Sequence, residues 1–149
     1  MKISTIGRYA TCALICLAEQ YGKGPVSLKT IATDQSISLK YLENIMRILI
    51  APGIVTSTRG KSGGFMLKRE PKKIFMDEVI CSAEGIVMPI HCMENSDLCP
   101  RRDTCPAKYM WNDLKESLMK SLHSVSLYDL ASHKKKLAGV KVTKRKKKK

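Results

Sequence analysis

The sequence predicts a mostly helical fold with one small β-hairpin: a winged helix-turn-helix followed by a long C-terminal dimerisation helix. Three observations carry that expectation. Two helical patterns precede a third that opens on a serine cap. A β-branched run and its return flank a glycine-rich turn directly afterwards. A long stretch nearer the C-terminus then repeats apolar residues at spacings of three and four.

The first helix is expected over Ser4 to Tyr21, with Ala10, Ala13, Leu14, Leu17, Ala18 and Tyr21 on one face. Gly22-Lys23-Gly24-Pro25 ends it. Ser27 caps a second, short helix that turns Leu28, Ile31 and Ala32 inward, and Thr33 to Ile37 reads as a polar turn. Ser38 caps the third helix, with Leu39, Leu42, Met46 and Leu49 inward, and Ala51-Pro52-Gly53 stops it. Ile54 to Thr58 is the outgoing strand, Arg59 to Gly64 the turn and Phe65-Met66-Leu67 the return. A helix follows from about Ile74 to Glu84.

From Pro106 to about Ser132 the pattern predicts one long helix with Trp111, Leu114, Leu118, Leu122 and Val125 as its stripe. At 1.5 Å per residue it reaches roughly 40 Å, more than so small a body can cover. A partner subunit is the natural cover, and an intramolecular core helix is the alternative. The organisation is therefore a winged helix-turn-helix at 1–73, a connecting helix at 74–90, a cysteine loop at 91–105, a dimerisation helix at 106–132 and a Lys-rich tail at 133–149.

The 149 residues fit one domain of ordinary size and bury a core without cross-links. No run of about 18 apolar residues occurs, and the N-terminus has no secretory pattern. A cytoplasmic setting is expected, in which cysteines stay reduced. The net charge is +14, but ten of the 27 basic residues lie from Lys134 onward, where no acidic residue occurs. The rest carries 17 basic against 13 acidic residues, so the body is only mildly basic. The tail is expected to be disordered. It either solubilises the chain or touches phosphates without reading sequence.

The outward face of the third helix carries Ser38, Lys40, Tyr41, Glu43, Asn44 and Arg47. Lys40 and Arg47 suit phosphate or guanine, Asn44 an adenine edge, and Glu43 a cytosine amino group, at a cost in repulsion from phosphate. Arg59 and Lys61 sit among the glycines of the wing turn, where they suit a minor groove or its phosphates. An ordinary solvated helix face is the plain alternative. The turn lacks the spacing of a nucleotide-binding loop.

Cys92, Cys99 and Cys105 lie in one polar loop, separated by six and then five residues. Structural zinc sites pair cysteines more tightly, as C-x-x-C. Wider spacing wraps a larger object, so an iron–sulfur cluster is expected ahead of zinc or unligated redox thiols. The spacing leaves a 2Fe-2S and a 4Fe-4S cluster both open, and 2Fe-2S is the expectation. Cys12 and Cys16 share a face of the first helix and read as buried small hydrophobes, and Cys81 reads as structural. His123 and His133 have no partner recognisable from sequence.

Gly7-Arg8-Tyr9-Ala10, Ser38 to Glu43, Arg59 to Phe65 and the three-cysteine loop together resemble the bacterial Rrf-type transcription regulators, in particular their IscR- and NsrR-like iron–sulfur and nitric-oxide sensors. The resemblance runs from Met1 to about His133 and omits the Lys-rich tail. It implies a homodimer with crossing long helices, the third helix in the major groove and the wing in the minor groove. It also implies a histidine as fourth ligand three residues beyond the last cysteine. Lys108 stands there instead, and a protonated amine is a poor ligand. The first cysteine interval is also one residue longer than is usual in the family. His91, Glu94, Asp97 and Asp103 are local candidates, beside a partner-subunit or exogenous ligand. The expected function is a cluster-controlled DNA-binding regulator, not an enzyme. The alternatives are a small iron–sulfur electron carrier, or a winged-helix DNA-binding protein with zinc or metal-free thiols.

Overall fold

A computed structural model describes residues 3–60, 62–85, 101 and 104–146. Helix α1 spans Thr5–Glu19, α2 Leu28–Gln35 and α3 Leu39–Ile50. Strands β1 (Val55–Thr58) and β2 (Gly64–Leu67) pair antiparallel, with Val55 opposite Leu67 and Thr58 opposite Gly64. A 3-10 turn at Pro71–Lys73 leads into α4 (Met76–Glu84), and α5 (Ala107–His123) and α6 (Leu127–Lys146) complete the described chain. This is the winged helix-turn-helix that the sequence predicts.

Serine begins each of the first three helices for one physical reason. The leading N–H groups of a helix have no carbonyl partner within it, and a hydroxyl oxygen supplies one. Ser4 accepts from the Ile6 N–H, Ser27 from Thr30 and Ser38 from Tyr41. Leu14, Leu17, Ile31, Leu42, Ile45, Met46, Leu49, Val55, Ile74, Val79 and Leu127 are fully buried together. Each such side chain contributes about 1.5–3 kcal/mol when removed from water.

Val26 joins the wing to the body: its N–H donates to Phe65 O at 2.9 Å and its O accepts from the Phe65 N–H at 2.8 Å. Gly64 makes this approach possible, because a Cβ there would collide with the Val26 carbonyl.

Several expectations are corrected. Thr33, Asp34 and Gln35 belong to α2, which ends only at Ser36 in the left-handed conformation (φ 54°). Leu39 is half-exposed at the start of α3, and Ile45 takes the inward position. The long helix expected over 106–132 is two helices. Met76 N–H donates to Val125 O at 3.0 Å, and Leu127 N–H donates to Ile74 O at 2.8 Å, which pins the chain at Ser126. A reciprocal cap then starts α6: Asp129 accepts from the Ser126 N–H and hydroxyl, and Ser126 Oγ accepts from the Asp129 N–H.

The expected stripe is therefore divided. Leu118, Leu122 and Val125 pack on the core, Trp111 is half-buried and Leu114 is exposed. The start of α6 is core, through buried Leu127 and Ala131. The helix also continues past His133 to Lys146, where a disordered tail was expected. Lys134 anchors this part: its Nζ donates to Glu19 Oε2 at 2.9 Å and Asp34 Oδ2 at 3.3 Å. Burial opposes the charged ammonium, but the bonds to the two carboxylates outweigh it and raise the Lys134 pKa. Among the described residues, no helix is long and apolar enough to cross a membrane.

Candidate nucleic-acid interface and cysteine site

Helix α3 presents Lys40, Glu43, Asn44 and Arg47 to solvent, as its apolar periodicity requires. Two of these side chains engage each other: Arg47 Nη2 lies 2.8 Å from Glu43 Oε1. Both are well exposed, so the pair contributes only about 0.3–0.5 kcal/mol and opens readily to another acceptor. Lys40 and Asn44 stand on the same face. Ser38 uses its hydroxyl oxygen to cap the helix, so its side chain is a positioning group there.

Tyr41 is the departure from the expected outward set. It is half-buried, packs on the core and meets Tyr9 of α1 edge-on, with ring centroids 5.9 Å apart at 83°. The exposed Arg8 guanidinium lies 4.6 Å over the Tyr9 ring. Arg8 thus places a cation beside the Tyr9–Tyr41 contact. In the sequence Arg8 stands out only as part of the Gly7-Arg8-Tyr9 motif. Its signal is a cation beside an aromatic residue in the first turn of a helix.

Arg59 is exposed at the wing turn, and Lys61 lies outside the described residues. Gly60 adopts φ +110°, a conformation that few side chains tolerate. A Cβ at Gly63 would meet the Thr58 carbonyl, so the turn is too tight for a larger residue.

Glu84 carries no signal in the sequence. It ends α4, two residues before 86–100, which lie outside the described residues. Its Oε1 accepts from the Ser4 N–H at 3.1 Å, the Ser4 hydroxyl at 2.7 Å and the Gly7 N–H at 3.0 Å. A carboxylate at a helix N-terminus is favoured by the helix dipole as well as by these bonds. A Cβ at Gly7 would strike Glu84 Oε1, so a larger residue there would displace the carboxylate.

Of the expected cluster ligands, Cys92 and Cys99 lie outside the described residues, as do His91, Glu94, Asp97 and Asp103. Cys105 is a free, half-buried thiol directly ahead of α5. The Lys108 N–H donates to its carbonyl at 3.2 Å, so the chain is already turning into helix at this cysteine. A partly exposed thiol is a soft-metal ligand type, and among the described residues no three ligating side chains gather to hold a metal. Cys16 is buried, and burial followed by the nearby Asp34 carboxylate raises its pKa, as expected of an inert core thiol. Cys12 and Cys81 are half-buried, and Cys81 packs on the core. His123 does have a partner: its Nδ1 lies 2.8 Å from Asp77 Oδ2, and its ring stacks on Phe75 at 4.7 Å.

Helix α5 differs from the other helices. None of its 17 residues is buried, although Tyr109 is 77% exposed, Met110 53% and Leu114 47%.

The profile of the Rrf2 family, described as iron-dependent transcriptional regulators, matches residues 3–133. The protein rrf2 of Nitratidesulfovibrio vulgaris is 35% identical over 130 residues, 87% of each chain. The transcriptional regulator CymR of Bacillus subtilis is 38% identical over 134 residues, 89% of this chain and 91% of its own. IscR of Xenorhabdus nematophila is 36% identical over 133 residues, 89% and 80% of the two chains. The structure of B. subtilis CymR, described as the global cysteine regulator, superposes with a TM-score of 0.75 at 38% identity, covering 89% of this chain and 98% of that one. The T. potens IscR structure does so with a TM-score of 0.71 at 34% identity, covering 89% and 88%. CymR and IscR are transcriptional regulators, and Rrf2-family regulators bind DNA. The chain belongs to the Rrf2 family of transcriptional regulators.

Proposed function

We propose that this chain is a homodimeric, operator-binding regulator controlled by an iron–sulfur cluster on Cys92, Cys99 and Cys105. In this reading α3 enters the major groove with Lys40, Glu43, Asn44 and Arg47, while Arg59 and Lys61 of the wing meet the adjacent minor groove. Arg8, held on Tyr9, reaches a flanking phosphate. The partner subunit covers α5, whose exposed Tyr109, Met110 and Leu114 are the observation in favour of a dimer. A cluster would supply a redox- or ligand-sensitive state to the loop. A set of protein ligands left incomplete at three cysteines would keep that state labile.

One observation carries the control of binding. Glu84 ties the end of α4, seven residues before the expected cysteine loop, to the start of α1. Tyr9 of α1 in turn meets Tyr41 of α3. A loop rearrangement that moves Glu84 therefore moves the helix that buttresses the reading helix. Two recognition helices in a dimer must match a fixed half-site spacing, so a small displacement changes affinity.

Anaerobic purification followed by a visible spectrum, with iron and sulfide analysis, tests the cofactor. Visible absorbance lost in Cys92→Ala, Cys99→Ala and Cys105→Ala is the expected result. A colourless protein with zinc or unligated thiols would replace this reading with a metal- or thiol-based one. Electron transfer without affinity for any duplex would favour an electron carrier.

A further inference from the structure

We propose that the Lys-rich continuation of α6 is an arm that grips DNA phosphates beside the bases read by α3. The proposal rests on the assignment of α3 and the wing as the DNA face, and adds a DNA-binding element outside the family match, which ends at residue 133.

The root of the arm is fixed. Buried Leu127 and Ala131 hold the start of α6 in the core, and Lys134 bridges Glu19 and Asp34. Asp34 lies in α2, four residues before the Ser38 cap of α3. Glu19 and Asp34 also line one open cleft of about 580 Å³ together with Ser62 and Gly63 of the wing turn. The root of the arm therefore sits against α1 and α2, beside a cleft that the wing turn also lines.

Charge then selects the partner. Lys134 satisfies the two carboxylates at the root, and nine Lys and Arg follow from Lys135 to Lys149 with no acidic residue among them. Lys135 and Lys136 are exposed where the arm begins. The helix runs a further 12 residues beyond Lys134 to Lys146, about 18 Å at 1.5 Å per residue. Duplex DNA carries one charge per about 1.7 Å of its axis, so an arm of that length is long enough to span several phosphates. Lysine–phosphate pairs of this kind add affinity at every sequence and discriminate none.

The test compares the full chain with a variant in which the nine cations from Lys135 to Lys149 are changed to Gln, and with a second in which the lysines are changed to Arg. The probes are a 30-base-pair random duplex and the duplex that the full chain selects from a random pool, titrated between about 50 and 200 mM salt. The Gln variant should bind both duplexes about 10-fold or more weakly, with their affinity ratio unchanged. Its salt slope should be shallower by about 0.9 for each phosphate that the arm neutralises. The Arg variant should match the full chain. Equal affinity and slope in the Gln variant would overturn the arm, even if that variant is less soluble. A loss confined to binding of a single-stranded RNA would assign the arm to RNA and overturn it too. The underlying assignment fails separately: Lys40→Ala, Asn44→Ala and Arg59→Ala would then leave the selected-to-random ratio intact.

Discussion

Glu84 Oε1 accepts both the backbone N–H of Ser4, at 3.1 Å, and its hydroxyl, at 2.7 Å, across 80 residues of sequence. The same oxygen takes the Gly7 N–H. One carboxylate oxygen thus fastens the end of α4 to the start of α1, beside the residues that support α3.

Glu84→Ala leaves three donors at the α1 N-terminus without their acceptor. The expected loss is about 2 kcal/mol of unfolding free energy, because hydrogen bonds to charged groups are among the stronger ones. Gly7→Ala should act in the same direction by pushing the carboxylate out. Urea denaturation checks the stability. Duplex titration of Glu84→Ala checks the coupling, which should be weakened beyond what the stability loss accounts for.

Glu43 holds Arg47 and repels phosphate. Glu43→Gln should raise affinity for a random duplex several-fold and lower the preference for the selected duplex. Side-by-side titrations of the two duplexes measure both effects. An unchanged ratio would remove Glu43 from sequence reading.

The Ser126–Asp129 cap gives an acid-sensitive contribution. Hydrogen bonds from the Ser126 side chain and backbone hold the Asp129 carboxyl below its ordinary 3.8. A lowered folded-state pKa stabilises above the unfolded value, and that stabilisation disappears as pH falls through the folded value. Ser126→Ala should cost about 1 kcal/mol at neutral pH. In thermal melts its deficit should narrow as pH falls below the ordinary carboxylate value and through the folded one.

Lys134 gives the opposite dependence. Its pKa is raised above the ordinary 10.5 because the bonds to Glu19 and Asp34 outweigh burial. Its contribution is complete below that ordinary value and is lost as pH rises through the folded one. Lys134 is 40% exposed, so Lys134→Met should cost only about 0.5 kcal/mol after solvent screening. Melts carried from neutral pH past the ordinary lysine value should show the deficit shrinking only above that value.

The parts of this fold that are legible in the sequence are those governed by local rules. Ser27 and Ser38 announce their helices because a cap is a four-residue event, and the 3.6-residue period places Leu42, Met46 and Leu49 inward. The break at Ser126 escapes such rules because it depends on Ile74 and Met76, some fifty residues away. Ser126-x-x-Asp129 does carry a local cap signal, which the apolar stripe masks. Tyr41 departs from its expected outward position for the same non-local reason: Tyr9 supplies the packing that draws it inward. Glu84 and the Asp77 partner of His123 are invisible in the sequence because tertiary packing, not spacing, selects them.

The most direct measurement is the anaerobic affinity of the selected duplex for cluster-loaded protein and for the same preparation stripped of iron. The two should differ by at least about 5-fold, a coupling of about 1 kcal/mol, with Cys105→Ala fixed at the stripped value. Equal affinities of loaded and stripped protein would contradict control of DNA binding by a cluster.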